Sequence, residues 1–134
     1  MGGGVGVSCH GSHRVVGETS KIAMPECSIG LVPDVGGSFL LAKLPGNIGT
    51  FLGVTGKRMK ASDAIYCGFA DYFIPETKWE DLKEKLVKTG NIDLIKKFHR
   101  STEASEIENS FSQISEAMVD VSTKNIESRL QHPF

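Results

Sequence analysis

A mixed α/β N-terminal half followed by a helical C-terminal half is the fold class this sequence predicts, with the division near Gly90-Asn91. Three observations predict it. Short apolar runs, Arg14-Val15-Val16 and Tyr72-Phe73-Ile74, are each cut off by turn formers or by proline, as strands are. Gly30, Pro33, Gly36 and Gly37 crowd the stretch from Ser28 to Gly37 with too many breakers for a long element. Beyond Thr77 the apolar residues recur only at helical spacing.

Taken in order, the small and apolar residues Gly3 to His10 can open a short helix, and Arg14-Val15-Val16 is a brief strand closed by the turn Gly17-Glu18-Thr19-Ser20. Lys21-Ile22-Ala23-Met24 is expected to be its partner strand. Pro25 pushes Met24 out of the helical region and donates no backbone hydrogen bond, so Glu26 falls where regular pairing stops. The glycine- and proline-rich segment after it is expected to be a tight loop that presents Asp34.

A helix from about Gly36 to Pro45-Gly46 follows, and then one whose apolar face is Ile48, Phe51 and Leu52 and whose left-handed terminus is Gly56. Ala61 or Ser62 opens the next, which Gly68 ends. Thr77 is expected to cap a helix carrying Trp79, Leu82, Leu86 and Val87, with the charged run from Lys78 to Lys88 turned to solvent. Ile92, Ile95 and Phe98 mark one further helix, Ile107, Phe111, Ile114 and Met118 another, and Ile126 with Leu130 a last one begun at Ser122 or Thr123. Trp79, Phe98, Phe111 and Met118 are expected in a core or a subunit contact. Residues 1–90 then form one part and 91–134 a helical C-terminal region. So few strands leave sheet edges bare, which calls for upstream strands or a partner chain, and a homo-oligomer would serve.

Composition bounds the function. The chain has 134 residues with a hydrophobic fraction of 40% and a formal net charge of −1, too little charge to draw in nucleic acid or an anionic membrane over a distance. No apolar run reaches membrane-span length, and no secretory leader is visible. Cys9, Cys27 and Cys67 are odd in number and widely spaced, which fits reduced thiols in an intracellular compartment. Three flexible glycines anchor a chain end poorly, so the numbering is expected to begin inside a larger protein.

Several groups of residues could carry chemistry. Met1-Gly2-Gly3-Gly4-Val5-Gly6 satisfies neither dinucleotide nor phosphate-loop spacing, because Cys9 stands where the last glycine would be and no Lys-Ser/Thr pair follows. It is either a plain turn or a backbone that brings N–H groups to an oxygen gaining negative charge. Glu26 and Asp34 are two carboxylates on one loop, a pairing suited to acid/base or nucleophilic work. Each could equally be a solvated charge, and Asp34 could cap the helix starting at Gly36. Cys9, His10 and His13 lack a second ligand pair at zinc-site spacing, so no metal is expected. A nucleophilic pairing of Cys9 or Cys27 with His10 or His13 stays open, and His99 and His132 are expected on helix surfaces.

The ordered set MGGGVGVSCHGSHRV, AMPECSIGLVPDVGGSFLLAKLPG, Val54-Thr55-Gly56 and Ala64-Ile65-Tyr66-Cys67-Gly68-Phe69-Ala70 resembles the crotonase (enoyl-CoA hydratase/isomerase) superfamily. The MPE and PDVGG motifs resemble its 3-hydroxyisobutyryl-CoA hydrolase branch. The resemblance implies a crotonase-like spiral of ββα units, here the C-terminal part of the core plus a helical tail. It implies an acyl-CoA substrate whose thioester carbonyl lies between two backbone N–H groups, with Gly3 supplying one. It implies that Glu26 attacks the thioester or activates water, that Asp34 binds and orients substrate, and that no cofactor is needed beyond the coenzyme A of the substrate itself.

Hydratases of the superfamily carry a first catalytic glutamate two residues after the glycine triplet, where this chain has Gly6. That departure favours thioester hydrolysis, as in valine breakdown, over hydration, with a hydratase, an isomerase or an inactive structural member as the alternatives. The family segment holding the second oxyanion N–H is expected upstream of Met1. The compartment implied is mitochondrial in a eukaryote and cytoplasmic in a bacterium.

Overall fold

The structure is a computed structural model that describes residues 1–119, and the expected last helix over Ser122 to Leu130, with His132, lies outside them. Its elements are α1 (Gly3–Ser8), β1 (Val15–Val16), α2 (Gly37–Ala42), α3 (Ile48–Thr55), α4 (Ala61–Tyr66), β2 (Tyr72–Phe73), α5 (Trp79–Thr89), α6 (Asp93–Phe98), α7 (Glu106–Asn109) and α8 (Phe111–Ala117). Tight 3-10 turns occupy Glu26–Ile29 and Glu76–Lys78.

The strand pairing differs from the expected hairpin. β1 pairs in parallel with β2, Val15 opposite Tyr72 and Val16 opposite Phe73. The Arg14–Asp71 pair decides this register. The Arg14 guanidinium donates to both carboxylate oxygens of Asp71 at 2.7 and 2.9 Å, and the Arg14 carbonyl accepts from the N–H groups of Asp71 and Tyr72. Charge-assisted, two-pronged bonds of this kind are stronger than neutral ones. The Lys21–Met24 segment instead makes one antiparallel bridge, Ile22 to Met59, and runs on to bury Ala23 and Met24.

Two further expectations are corrected. Thr77 does not cap α5: the chain enters it through the Glu76–Lys78 turn, where Lys78 N–H donates to the Pro75 carbonyl at 2.8 Å. A 3-10 entry satisfies early N–H groups without a side-chain cap. The segment from Ile107 to Met118 is two helices broken at Ser110, yet Ile107, Ile114 and Met118 still face inward together.

Two apolar clusters hold the chain together. The larger gathers α1, α3 and α4 around Val5, Ile48, Phe51, Leu52 and Ala64, and Ile107 of α7, Ile114 of α8 and Met118 just after it complete it. The smaller is Ile74, Leu82 and Ile95, with Trp79, Leu86 and Phe98 at its margin. Residues on both sides of Gly90 contribute to each of these two clusters or its margin. The outer face of α5 carries the ion pairs Lys83–Glu80 and Lys85–Asp81, the solvent-facing pattern its charges predict.

α2 and α3 cross so closely that a Cβ on Gly49 would overlap the Leu41 carbonyl oxygen. Alanine has the better helix propensity by roughly 1 kcal/mol, but here the helices would have to part. Gly49→Ala is therefore expected to lower stability by about 2 kcal/mol in urea unfolding. An unchanged midpoint would show that α2 and α3 slide apart freely.

Candidate active site

Pro25 ends the extended run at Met24, and the chain turns at once into the Glu26–Ile29 3-10 turn. This turn carries the Glu26 side chain inward, where it is only 7% exposed. One carboxylate oxygen, Oε1, stands 2.9 Å from where a Cβ would lie on Gly2, at the N-terminal cap of α1. The other, Oε2, is buried and has no hydrogen-bond partner among the described residues. Burying an acceptor without a donor costs about 1 to 3 kcal/mol, more when it is charged. A fold retains such a group where a substrate or water completes it.

α1 is held under Glu26 by its own backbone. Gly2 N–H donates to the Ala23 carbonyl at 3.0 Å, tying the glycine segment to the residues just before Pro25-Glu26. The first N–H groups of any α-helix lack an intrahelical acceptor, and in α1 these include Gly3 and Gly4, which follow the Gly2 that faces Glu26 Oε1, whereas Val5 N–H already donates to the Gly2 carbonyl at 2.8 Å. Gly3 is exposed, with no side chain to cover its backbone.

Asp34 lies farther along the same loop and is exposed. Its carbonyl accepts from Gly37 N–H at 2.6 Å, closing a turn through Val35 and Gly36. The side chain makes no hydrogen bond among the described residues and so does not cap α2, which begins at Gly37 after the left-handed Gly36. The loop therefore holds one buried carboxylate and one free one. Its rim is apolar: Ile29, Leu31, Val32 and Val35 are all more than half exposed.

Most of the remaining candidates are buried or engaged elsewhere. Burial pushes the Cys67 thiol up to about 12, with Asp63 adding to the effect, and burial likewise raises Cys9 above the usual thiol range. Neither would ionise readily as a nucleophile. Cys27 is exposed. His13 stacks on Tyr72 with ring centroids 6.0 Å apart. His99 is exposed but engaged, its Nδ1 accepting from Phe73 N–H at 3.0 Å where β2 ends. Among the described residues no group of three His, Cys, Asp or Glu side chains could hold a metal ion, and no helix is long and apolar enough to cross a membrane.

Sequence reasoning missed Asp63, which is buried and accepts from Ser105 Oγ at 2.7 Å and Ile107 N–H at 3.2 Å. It also missed Ser105 as the cap of α7, whose side chain accepts from Glu108 N–H. The Ser105-x-x-Glu108 spacing was the available signal.

This arrangement of a buried glutamate against a glycine-built helix start can be set beside known proteins. A family model described as enoyl-CoA hydratase/isomerase matches residues 1–133. The chain belongs to the enoyl-CoA hydratase/isomerase family.

Its fold is accordingly the crotonase-like one that the motifs imply, here a partial core with helices. Over 98% of its length it superposes on 38% of a carnitinyl-CoA dehydratase from Mycobacterium thermoresistibile, with TM-score 0.91 and 37% identity. Over 100% of its length it superposes on 38% of an enoyl-CoA hydratase from Rhodobacter sphaeroides 2.4.1, with TM-score 0.88 and 46% identity. Among curated family members it is 42% identical over 112 residues to the mitochondrial 3-hydroxyisobutyryl-CoA hydrolase of Xenopus tropicalis, covering 79% of this chain and 29% of that one. It is 49% identical over 87 residues to the corresponding protein of Mus musculus, covering 65% and 23%. The matched region is less than a third of either relative's length.

Proposed function

We propose that this member of the family serves thioester hydrolysis of 3-hydroxyisobutyryl-CoA or a similar short 3-hydroxyacyl-CoA, with Glu26 as the reacting carboxylate. The observation that carries the reading is the buried Glu26 with its unpartnered Oε2, held against the glycine start of α1. The names of the hydrolases from Xenopus tropicalis and Mus musculus support the substrate class.

In the reaction, Glu26 adds to the thioester carbonyl and the tetrahedral intermediate expels the coenzyme A thiolate. This leaves an acyl anhydride on Glu26, which water cleaves to the free acid and the original carboxylate, the remaining proton of that water passing to the thiolate. If Glu26 acts as a base instead, it takes a proton from water, hydroxide adds to the carbonyl, and the departing thiolate recovers that proton. Both routes place negative charge on the carbonyl oxygen. The Gly3 N–H, at the free end of α1, is the group on this chain that would meet it, and such donors contribute roughly 2.7 to 4 kcal/mol. Asp34, unpaired on the loop, would hold the hydroxyl side of the acyl group.

Hydration or dehydration of an enoyl-CoA is the second reading, favoured by the names of the two solved structures at 37% and 46% identity. Against it stands Gly6, which leaves α1 without the additional carboxylate that delivers water across a double bond. The compartment follows the source, mitochondrial for a eukaryotic protein and cytoplasmic for a bacterial one, and a second copy or further chain would cover the sheet edges.

The test is to supply 3-hydroxyisobutyryl-CoA and, separately, a short enoyl-CoA, following free thiol in the first case and loss of double-bond absorbance in the second. Thiol release without hydration is expected. Hydration without thiol release would overturn the proposal in favour of the second reading, and neither activity would sink the enzymatic reading for this chain.

A further inference from the structure

α1 is bare along one face, and two separate parts of the site press on that face. At its cap, Glu26 Oε1 stands 2.9 Å from where a Cβ would lie on Gly2. Farther along the helix, Val35 lies over Gly6: its Cβ and Cγ1 stand 3.3 Å from where a Cβ would lie, and its carbonyl oxygen overlaps that place. Val35 Cγ2 also reaches within 3.8 Å of the same position on Gly3.

Val35 adopts φ 47, the one positive φ among the described residues that is not a glycine's, and Gly36 follows with φ 79. With Gly37 N–H donating to the Asp34 carbonyl, residues 34–37 form a turn whose two central residues are left-handed. Glycine, asparagine or aspartate takes the first central position readily, whereas a β-branched side chain there is strained. Strain of this kind persists where the surroundings over-determine it. Here the surroundings are the bare face of α1. Burial of the valine side chain is not the reason, since Val35 is 57% exposed.

We infer that Val35 is a positioning residue that seats the Asp34 turn on the side-chain-free face of α1, so that this one helix sets where Asp34 stands relative to Glu26. Glycine at position 6 is then a requirement of the seating, because any side chain there displaces the Val35 carbonyl. The inference rests on the hydrolase reading for the work Asp34 does, while the seating itself rests on contacts alone.

The experiment is a double-mutant cycle between positions 6 and 35, read both as thioester kinetics and as thermal midpoint. Val35→Asn suits the left-handed backbone and keeps the Cβ and carbonyl over Gly6 but loses the two methyls that bear on Gly3 and Gly6, so the midpoint should hold while kcat falls roughly tenfold with KM little changed. Gly6→Ala should lower kcat by a similar factor alone, yet by less than roughly threefold on top of Val35→Asn, since without the two methyls the turn has already shifted from its seat and can give way to the new side chain. Full kcat in Val35→Asn, or losses that simply multiply in the double variant, would overturn the inference. Absence of thiol release from the unsubstituted protein would instead defeat the proposed function. The cycle is then decided on the thermal midpoint, where coupling between positions 6 and 35 supports the seating and additivity overturns it.

Discussion

Replacing Glu26 by glutamine is expected to lower thiol release from the acyl-CoA roughly a thousandfold while leaving the fold intact. Glutamine has the shape of glutamate, so the cavity beside Gly2 stays filled and no packing is lost. What disappears is the anion that either adds to the carbonyl or accepts a proton from water. The stability readout runs the other way from an ordinary core substitution: Glu26 is 7% exposed and its Oε2 has no donor among the described residues, so removing the charge removes a desolvation cost. The thermal midpoint should therefore hold or rise, in keeping with the trade between activity and stability at working sites. A Glu26→Gln protein that keeps more than a tenth of kcat would remove Glu26 from the chemistry. One that unfolds would show that the carboxylate has a structural partner.

The second large effect concerns stability. Asp63 is 1% exposed and collects three N–H or O–H donors: Ser105 Oγ at 2.7 Å, Ile107 N–H at 3.2 Å and, more weakly, Lys60 N–H at 3.4 Å. It thereby ties the start of α4 to the start of α7, which places Ile107, Ile114 and Met118 in the larger cluster. Asp63→Ala leaves those donors buried without an acceptor, and about 3 kcal/mol should be lost. Asp63→Asn should cost less, because its one carbonyl oxygen can still serve Ser105 and Ile107, which share a single carboxylate oxygen in the native protein. Urea unfolding gives the magnitudes. Hydrogen exchange over residues 105–118 checks the cause, since faster exchange there is the signature of α7 and α8 detaching. A loss below about 1 kcal/mol in Asp63→Ala would mean that apolar contacts alone hold these helices.

Much of the local structure was legible because local chemistry decides it. Gly56 ends α3 at φ 62 and Gly90 ends α5 at φ 63, the left-handed termini that glycine alone adopts freely. Pro25 stops the extended run ahead of Glu26, and the apolar spacing of Ile48, Phe51 and Leu52 puts one face of α3 inward. Glu26 stood out in the sequence because proline marks the end of the run before it, whereas Gly3 was singled out among its neighbouring glycines by the family resemblance.

Pairing across long stretches of chain was not legible. The Lys21–Met24 run looked like the partner of Val15–Val16, since a short turn between apolar runs reads as a hairpin. The true partner lies more than fifty residues on, chosen by the fit of Arg14 to Asp71. Asp63 reads as one more surface acid until Ser105 is brought to it across the fold.

What the sequence by itself determined is the resemblance that names the family, most of the local elements with their ends, and a carboxylate at the end of an extended run, because motif residues and backbone breakers act on their immediate neighbours. Only the tertiary structure decided that Glu26 is buried with an oxygen unpartnered, that Val35 is strained over Gly6, and that the two strands run parallel. Those properties depend on which distant groups exclude water and supply hydrogen bonds, and no local spacing encodes them.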